Sequence, residues 1–345
     1  MYAHLRMIRI WEPGVEIDGR YRLAEKIGQG GMGSVWRAEH LMLGTPVAVK
    51  LLSAHAEQDE ESRARFLREA KASATLRGHN VVQLLDFGVD DTTPYIVMEL
   101  LEGETLHARL KRLGGLEVVY TGWMLDQIAY AVGKAHRLGI WHRDLKPANV
   151  FLEREGDIET PKILDFGLAK LVSREGNPGI TTTANGMLIG TPFYMSPEQI
   201  RGGKKVDHRS DLWSMSVIAY ECITGKRPFQ STSLGDLVMA ICQDPIPPPS
   251  SHGPVPRGFD DWFARASSRE KDERFQTAKD WADALCRVLE LPDNYRCHQV
   301  RPAATPGRTP ASKWEKTLAE DGAQGPPQSA LGADTVVIDS NDDET

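Results

Sequence analysis

The residues best suited to chemistry in this 345-residue chain are gathered in one short stretch, His142-Arg143-Asp144-Leu145-Lys146-Pro147-Ala148-Asn149, with Asp165-Phe166-Gly167 downstream. Together they supply a carboxylate able to act as a base, a compact cation, an amide and a second carboxylate. That is the inventory needed to hold two divalent cations and a transferring phosphoryl group. An isolated Asp-Phe-Gly is an ordinary turn sequence, so meaning attaches to the ordered pair of motifs. If the ordered pair is meaningful, a glycine-rich strand-turn-strand and a strand lysine are expected upstream.

Both are present. Ile27-Gly28-Gln29-Gly30-Gly31-Met32-Gly33-Ser34-Val35 has the spacing Gly-x-Gly-x-x-Gly-x-Val. The missing Cβ atoms let backbone N–H groups approach phosphate oxygens and permit positive φ. The same spacing opens dinucleotide-binding units, but there it joins a strand to a helix and an acidic residue follows about twenty positions on. Here Val35-Trp36-Arg37-Ala38 continues as a β-rich run that leads to Val47-Ala48-Val49-Lys50. Strand alternation puts Val47 and Val49 on one face and Ala48 with Lys50 on the other, so an ammonium and a small residue share one cleft. From Glu57 to Leu76, Phe66, Ala70 and Ala74 recur at helical spacing. Glu69 borders their face, whereas Glu57, Glu60 and Glu61 sit in the first turns, where carboxylates favour the positive end of the helix dipole. Spacing alone does not choose among these glutamates and Asp86 as the partner of Lys50.

Over roughly residues 20–290 these motifs resemble a protein kinase. The resemblance implies ATP between two lobes, with Mg2+ held by Asn149 and Asp165 and Mn2+ able to substitute. It implies Asp144 as acceptor of the substrate hydroxyl proton, Lys50 and Lys146 on the phosphates, and Glu69 as the residue that pairs with Lys50 and orients it. The implied nucleotide site comprises Gly28, Gln29, Gly30, Gly31, Gly33, Val35, Ala48, Lys50, Met98, Glu99, Leu101 and Phe151. Tyr95 to Leu101 reads as a buried strand entering the hinge, with Met98 guarding the back of the adenine pocket. Gly190-Thr191-Pro192 and Ser196-Pro197-Glu198 resemble the end of an activation segment, and Asp211-x-Trp213-Ser214 opens the central apolar helix. Arg274 matches the arginine that pairs with Glu198. Lys146 and Thr191 resemble serine/threonine rather than tyrosine kinases, and the chain is most similar to the eukaryotic-like (Hanks-type) members of bacteria. It departs from that pattern at Ser196, usually alanine, at Ser216, usually glycine, and at Ser73, often a larger apolar residue; the first two touch no catalytic role.

The implied fold class is α+β. A small lobe over about 18–98 is an antiparallel β-sheet plus one helix, and a mainly helical large lobe covers about 101–290. An N-terminal extension occupies 1–17. Residues 291–345 read as a disordered, acidic, proline-rich tail, with eight acidic side chains against two lysines over 313–345. A phosphothreonine-reading or other partner is expected at that tail. Between Asp165 and Glu198 the run Gly179 to Gly186 is small and polar, poorly suited to hold one conformation unaided. A phosphate there could make a charge-assisted contact with Arg143, beside the base. Thr183 is the first choice, then Thr182 and Thr181, while Thr191 serves the docking turn. Autophosphorylation would involve a homodimer.

Composition agrees: 41% apolar and 26% charged residues suit a globular chain, and a net charge of −7 without a basic stripe argues against nucleic-acid binding. The longest apolar run, Leu212 to Ile223, is too short for the roughly 20 residues of a membrane span. Cys222, Cys242, Cys286 and Cys297 show no metal spacing, as expected for reduced thiols in the cytoplasm. Two rival classes remain. A pseudokinase scaffold would lack the lysine, the base or a metal ligand, and a small-molecule phosphotransferase would lack the Glu198 segment and Arg274.

Overall fold

The computed structural model describes residues 10–30, 33–52, 60–166, 181–182, 188–189, 192–202, 206–231, 233–292 and 301–302. The small lobe runs β1 (Glu16–Ile17), β2 (Tyr21–Gly30), β3 (Gly33–His40), β4 (Thr45–Leu52), α1 (Glu60–Ala74), β5 (Leu84–Asp90) and β6 (Thr93–Glu99). Its sheet has the order β1-β2-β3-β4-β6-β5, antiparallel at every pairing. Alternation along the strands sends Trp36, Ala38, Val47, Val49, Tyr95 and Val97 to one buried face. Ala48, Leu52, Ile96 and Met98 go to the other, where Phe66 and Ala70 of α1 pack. The sheet begins ahead of the boundary expected at 18, because Ile17 is fully buried with Tyr21 and Leu23.

The remaining elements are β7 (Gly103–Thr105), α2 (Leu106–Leu113), α3 (Val118–Arg137), β8 (Val150–Glu155), β9 (Ile158–Ile163), β10 (Thr181–Thr182), β11 (Leu188–Ile189), α4 (Pro197–Ile200), α5 (Arg209–Thr224), α6 (Leu234–Cys242), α7 (Phe259–Ala266), α8 (Ala278–Val288) and β12 (Arg301–Pro302). Helix starts are written into the sequence. The side chains of Thr105, Glu117, Ser233 and Thr277 each accept N–H groups of the first turn of α2, α3, α6 and α8. Helix α5 is buried almost all round and forms the axis of this lobe. The serine at 216 has a packing reason, since its hydroxyl donates to the Leu212 carbonyl and accepts from the Trp281 indole. Gly122 on α3 leaves a notch for Leu291. A Cβ there would lie 2.7 Å from a Leu291 methyl, so the core continues through that residue. Strand β12 pairs with β9 through Arg301 and Glu159, which brings part of the expected tail onto the edge of the β7-β8-β9 sheet.

Candidate active site

The loop between α3 and β8 hangs from one buried carboxylate. Asp211, 1% exposed at the start of α5, accepts the backbone N–H of His142 at 2.9 Å, the N–H of Arg143 at 2.8 Å and His136 Nε2 at 2.8 Å. Burial pushes its pKa up, but the hydrogen bonds from His136 and the Arg143 backbone, with the electrostatic influence of the neighbouring histidines, outweigh this and hold it below the usual carboxylate range. His142 is itself fully buried. Its Nε2 lies 2.8 Å from the Leu164 carbonyl, which can only accept, so Nδ1 is left to accept the Asp144 N–H. Arg143 is thereby held in the left-handed region at φ 67, and the chain turns sharply into Asp144. Sequence reasoning saw Asp211 only as a helix opener and did not see His136, because their role comes from the crossing of α3 and α5.

Asp144 Oδ2 is 2.9 Å from Lys146 Nζ and 3.1 Å from Asn149 Nδ2, whose second bond goes to the Asp144 carbonyl. Both side-chain contacts fall on Oδ2. The pairing of Val150 with Ile163 in the β8-β9 hairpin, extended by Leu164 N–H to the Asn149 carbonyl, sets Asn149 beside Asp165. Asp165 also adopts the left-handed region, φ 58, and its carboxylate meets Lys50 Nζ at 2.6 Å. Sequence reasoning expected Lys50 to pair with Glu69. In the structure the ammonium meets Asp165, and Glu69 on α1 is half-buried, with its negative charge acting on Arg143. The donors fit a hard divalent cation: an amide oxygen left over by the two Nδ2 bonds of Asn149, and a carboxylate, with the remaining positions open to phosphate and water.

Above this cluster β2 and β3 form the glycine hairpin, with Gly28 opposite Val35, Gln29 opposite Ser34 and Gly30 opposite Gly33. Gly33 has φ 135 and any Cβ there would overlap the Leu51 carbonyl, so glycine is obligatory. Ala48 and Met98 are cross-strand partners on the face packed by Val35 and Leu100. Leu101 and Phe151 are half-buried. Glu99, at the end of β6, is anchored from the large lobe: Lys162 Nζ on β9 lies 2.8 Å from both its carboxylate oxygens and 3.1 Å from Glu153. Lys162, opposite Phe151 in the hairpin, was missed in the sequence, where it read as an ordinary strand lysine.

The end of the activation segment is fastened to the same loop. Glu198 and Arg274 form a bidentate pair at 2.8 and 2.9 Å, with Ser210 Oγ donating a third bond to Glu198. Ser196 caps α4 in a capping box with Gln199, and Gln199 Nε2 donates to the Arg143 carbonyl at 2.7 Å. The Ser196 side chain thus contacts Gln199, which in turn reaches the main chain just before Asp144. Arg143 Nε is buried without a partner, its guanidinium lies over Trp141, and burial lowers its pKa. Thr181 and Thr182 lie in β10, paired with β11; Gly31, Thr183 and Thr191 lie outside the described residues.

Comparison with known proteins agrees with this geometry. The family model described as "Protein kinase domain" matches residues 21–286. Pkn1 of Myxococcus xanthus, a serine/threonine-protein kinase, is 37% identical over 286 residues, covering 82% of this chain and 40% of the relative. Another serine/threonine-protein kinase of that organism, pkn3, is 39% identical over 273 residues, covering 77% and 49%. The chain thus spans less than half the length of these curated relatives. The crystal structure of the Mycobacterium tuberculosis PknI kinase domain superposes with a TM-score of 0.64 at 26% identity, covering 81% of this chain and all of that one. With the two lobes, the suspended catalytic loop and the Glu198–Arg274 pair in place, the chain belongs to the protein kinase family.

Proposed function

We propose that this chain is a serine/threonine protein kinase that transfers the γ-phosphoryl group of ATP to hydroxyls of protein substrates. The observation that carries the reading is the pair of contacts Asp144–Lys146 and Lys50–Asp165, joined by Asn149, whose amide meets the Asp144 carboxylate and whose backbone carbonyl accepts the N–H of Leu164 next to Asp165. Asp144 takes the substrate hydroxyl proton on Oδ1, the oxygen not engaged by Lys146 and Asn149. Lys146, next to that base, neutralises charge on the transferring group, and Lys50 with the glycine-hairpin amides holds the remaining phosphates. Asn149 and Asp165 would hold Mg2+, which would supply neutralisation of the phosphate charge. Met98, Glu99, Leu101, Ala48, Val35 and Phe151 enclose the adenine. We assign the catalytic domain to about 18–290, with Glu16–Ile17 and Leu291 completing its sheet and core, and the segment beyond it to binding a partner.

The buried, unpartnered Nε of Arg143 supports a switch, since a phosphate on Thr183, Thr182 or Thr181 is the bidentate acceptor this guanidinium lacks. A second copy would deliver that phosphate. Among the described residues no helix is long and apolar enough to cross a membrane.

The test is radiolabel transfer from ATP with Mg2+ to the protein itself and to a generic basic protein. Product phosphate is expected on serine and threonine, with mass spectrometry locating part of it on Thr181–Thr183. Asp165→Ala should reduce transfer by at least two orders of magnitude. Transfer at the wild-type rate in Asp165→Ala, or phosphate only on tyrosine, would sink the reading.

A further inference from the structure

Ser73 stands in the last turn of α1, where a serine hydroxyl ordinarily returns to the carbonyl one turn back. Here it leaves the helix and donates a 2.7 Å hydrogen bond to the carbonyl of Phe166, 93 residues away in sequence. Phe166 is 4% exposed, and its ring meets the His142 ring edge-on at 5.0 Å. The peptide that Ser73 grips is one residue beyond Asp165, whose left-handed backbone is an arrangement that the surroundings have to impose. Lys50 holds the Asp165 carboxylate from β4, and Ser73 holds the following carbonyl from α1. An apolar side chain at 73 could press on the Phe166 ring but could not orient this peptide plane.

We propose that Ser73 is a positioning residue: its hydroxyl sets the Asp165–Phe166 segment, and with it the approach of the Asp165 carboxylate to Lys50 and to the cation site. The placement of α1 is then felt at Asp165 through one directional bond rather than through packing. This rests on the kinase reading for its activity arm and on the described geometry alone for its exchange arm.

The experiment compares full-length wild type with Ser73→Ala, Ser73→Cys, Ser73→Leu and Ser73→Thr. Hydrogen exchange of residues 163–166 is measured without nucleotide, and turnover is titrated with Mg2+. Cysteine is close to serine in size but a poor donor, and threonine keeps the hydroxyl. Alanine, cysteine and leucine should each speed exchange at 163–166 and raise the half-saturating Mg2+ about fivefold, the worth of one net hydrogen bond, while threonine should follow wild type. If the site merely packs, cysteine should match wild type and leucine should match or exceed it in both readouts, and that result would overturn the proposal. Should leucine fail to fold, the cysteine-to-threonine comparison decides alone. A wild type inactive at every Mg2+ concentration would instead count against the kinase reading, with the exchange arm still deciding on Ser73.

Discussion

Replacing Arg274 by methionine should be among the most damaging single changes outside the cleft. The arginine side chain is 0% exposed and that of Glu198 is 13% exposed, so the substitution leaves a carboxylate facing an apolar wall. Lost with the bidentate pair are bonds from the guanidinium to the carbonyls of Ser268, Arg209 and Arg269, and its stacking 5.0 Å above Trp213. Breaking a buried pair by removing one partner costs about 3–5 kcal/mol. At roughly 2–4 °C per kcal/mol for a domain of this size, Tm should fall by roughly 6–20 °C. Glu198→Gln should also destabilise, because it leaves the guanidinium uncompensated. The double variant should lose less than the sum, with a coupling near the upper end of the usual 0.5–3 kcal/mol, approximately. Thermal and urea unfolding of the four proteins closes the cycle. A Tm of Arg274→Met within about 2 °C of wild type, or additive effects in the double variant, would show that the pair does not organise the segment.

The same carboxylate gives a pH dependence with a definite sign. Burial raises the pKa of Glu198, but the Arg274 hydrogen bonds and charge, with Ser210, bring it net below its ordinary 4.5; Asp211 is likewise held below 3.8. Groups depressed on folding stabilise above their unfolded values, and that stability drains away as pH falls through the lower folded values. Unfolding followed by tryptophan fluorescence should therefore steepen below about pH 4, and the Glu198→Gln, Arg274→Met double variant should lose part of that slope. An unchanged slope would remove Glu198 from the acid transition. At the hinge, Lys162→Met leaves Glu99 and Glu153 facing each other without their cation, and KM for ATP should rise about tenfold with kcat nearly constant, given the usual worth of hydrogen bonds to charged groups. Steady-state kinetics with varied ATP checks this, and an unaltered KM would mean that the hinge holds its shape without Lys162.

What could be read from the sequence was what is contiguous in it. Asp144, Lys146 and Asn149 act within one loop, and Gly28 to Val35 within one hairpin, so residue types and spacing carried their geometry. The contact of Lys50 with Asp165 could not be read, because it turns on the left-handed backbone at 165. Asp211, His136, Gln199 and Lys162 gain their roles only where helices cross or strands register, and each is unremarkable in its own neighbourhood. Ser196 illustrates the same limit: read in isolation it is a neutral swap for alanine, and in three dimensions its capping partner reaches the carbonyl before Asp144.

The fit of Leu291 into the notch at Gly122 determines how far the chain can be cut back. The family match ends at 286, yet Leu289 and Leu291 are 4% and 8% exposed and close over the start of α3 at Gly122. Trimming to the edge of the matched region would strip that cover from α3 and leave an apolar trough open to solvent, a ready seat for unwanted association. A protease that cuts after Pro292 would leave the trough sealed. The smallest self-sufficient unit is thus longer than its family signature, by a few residues whose work is to close a hole.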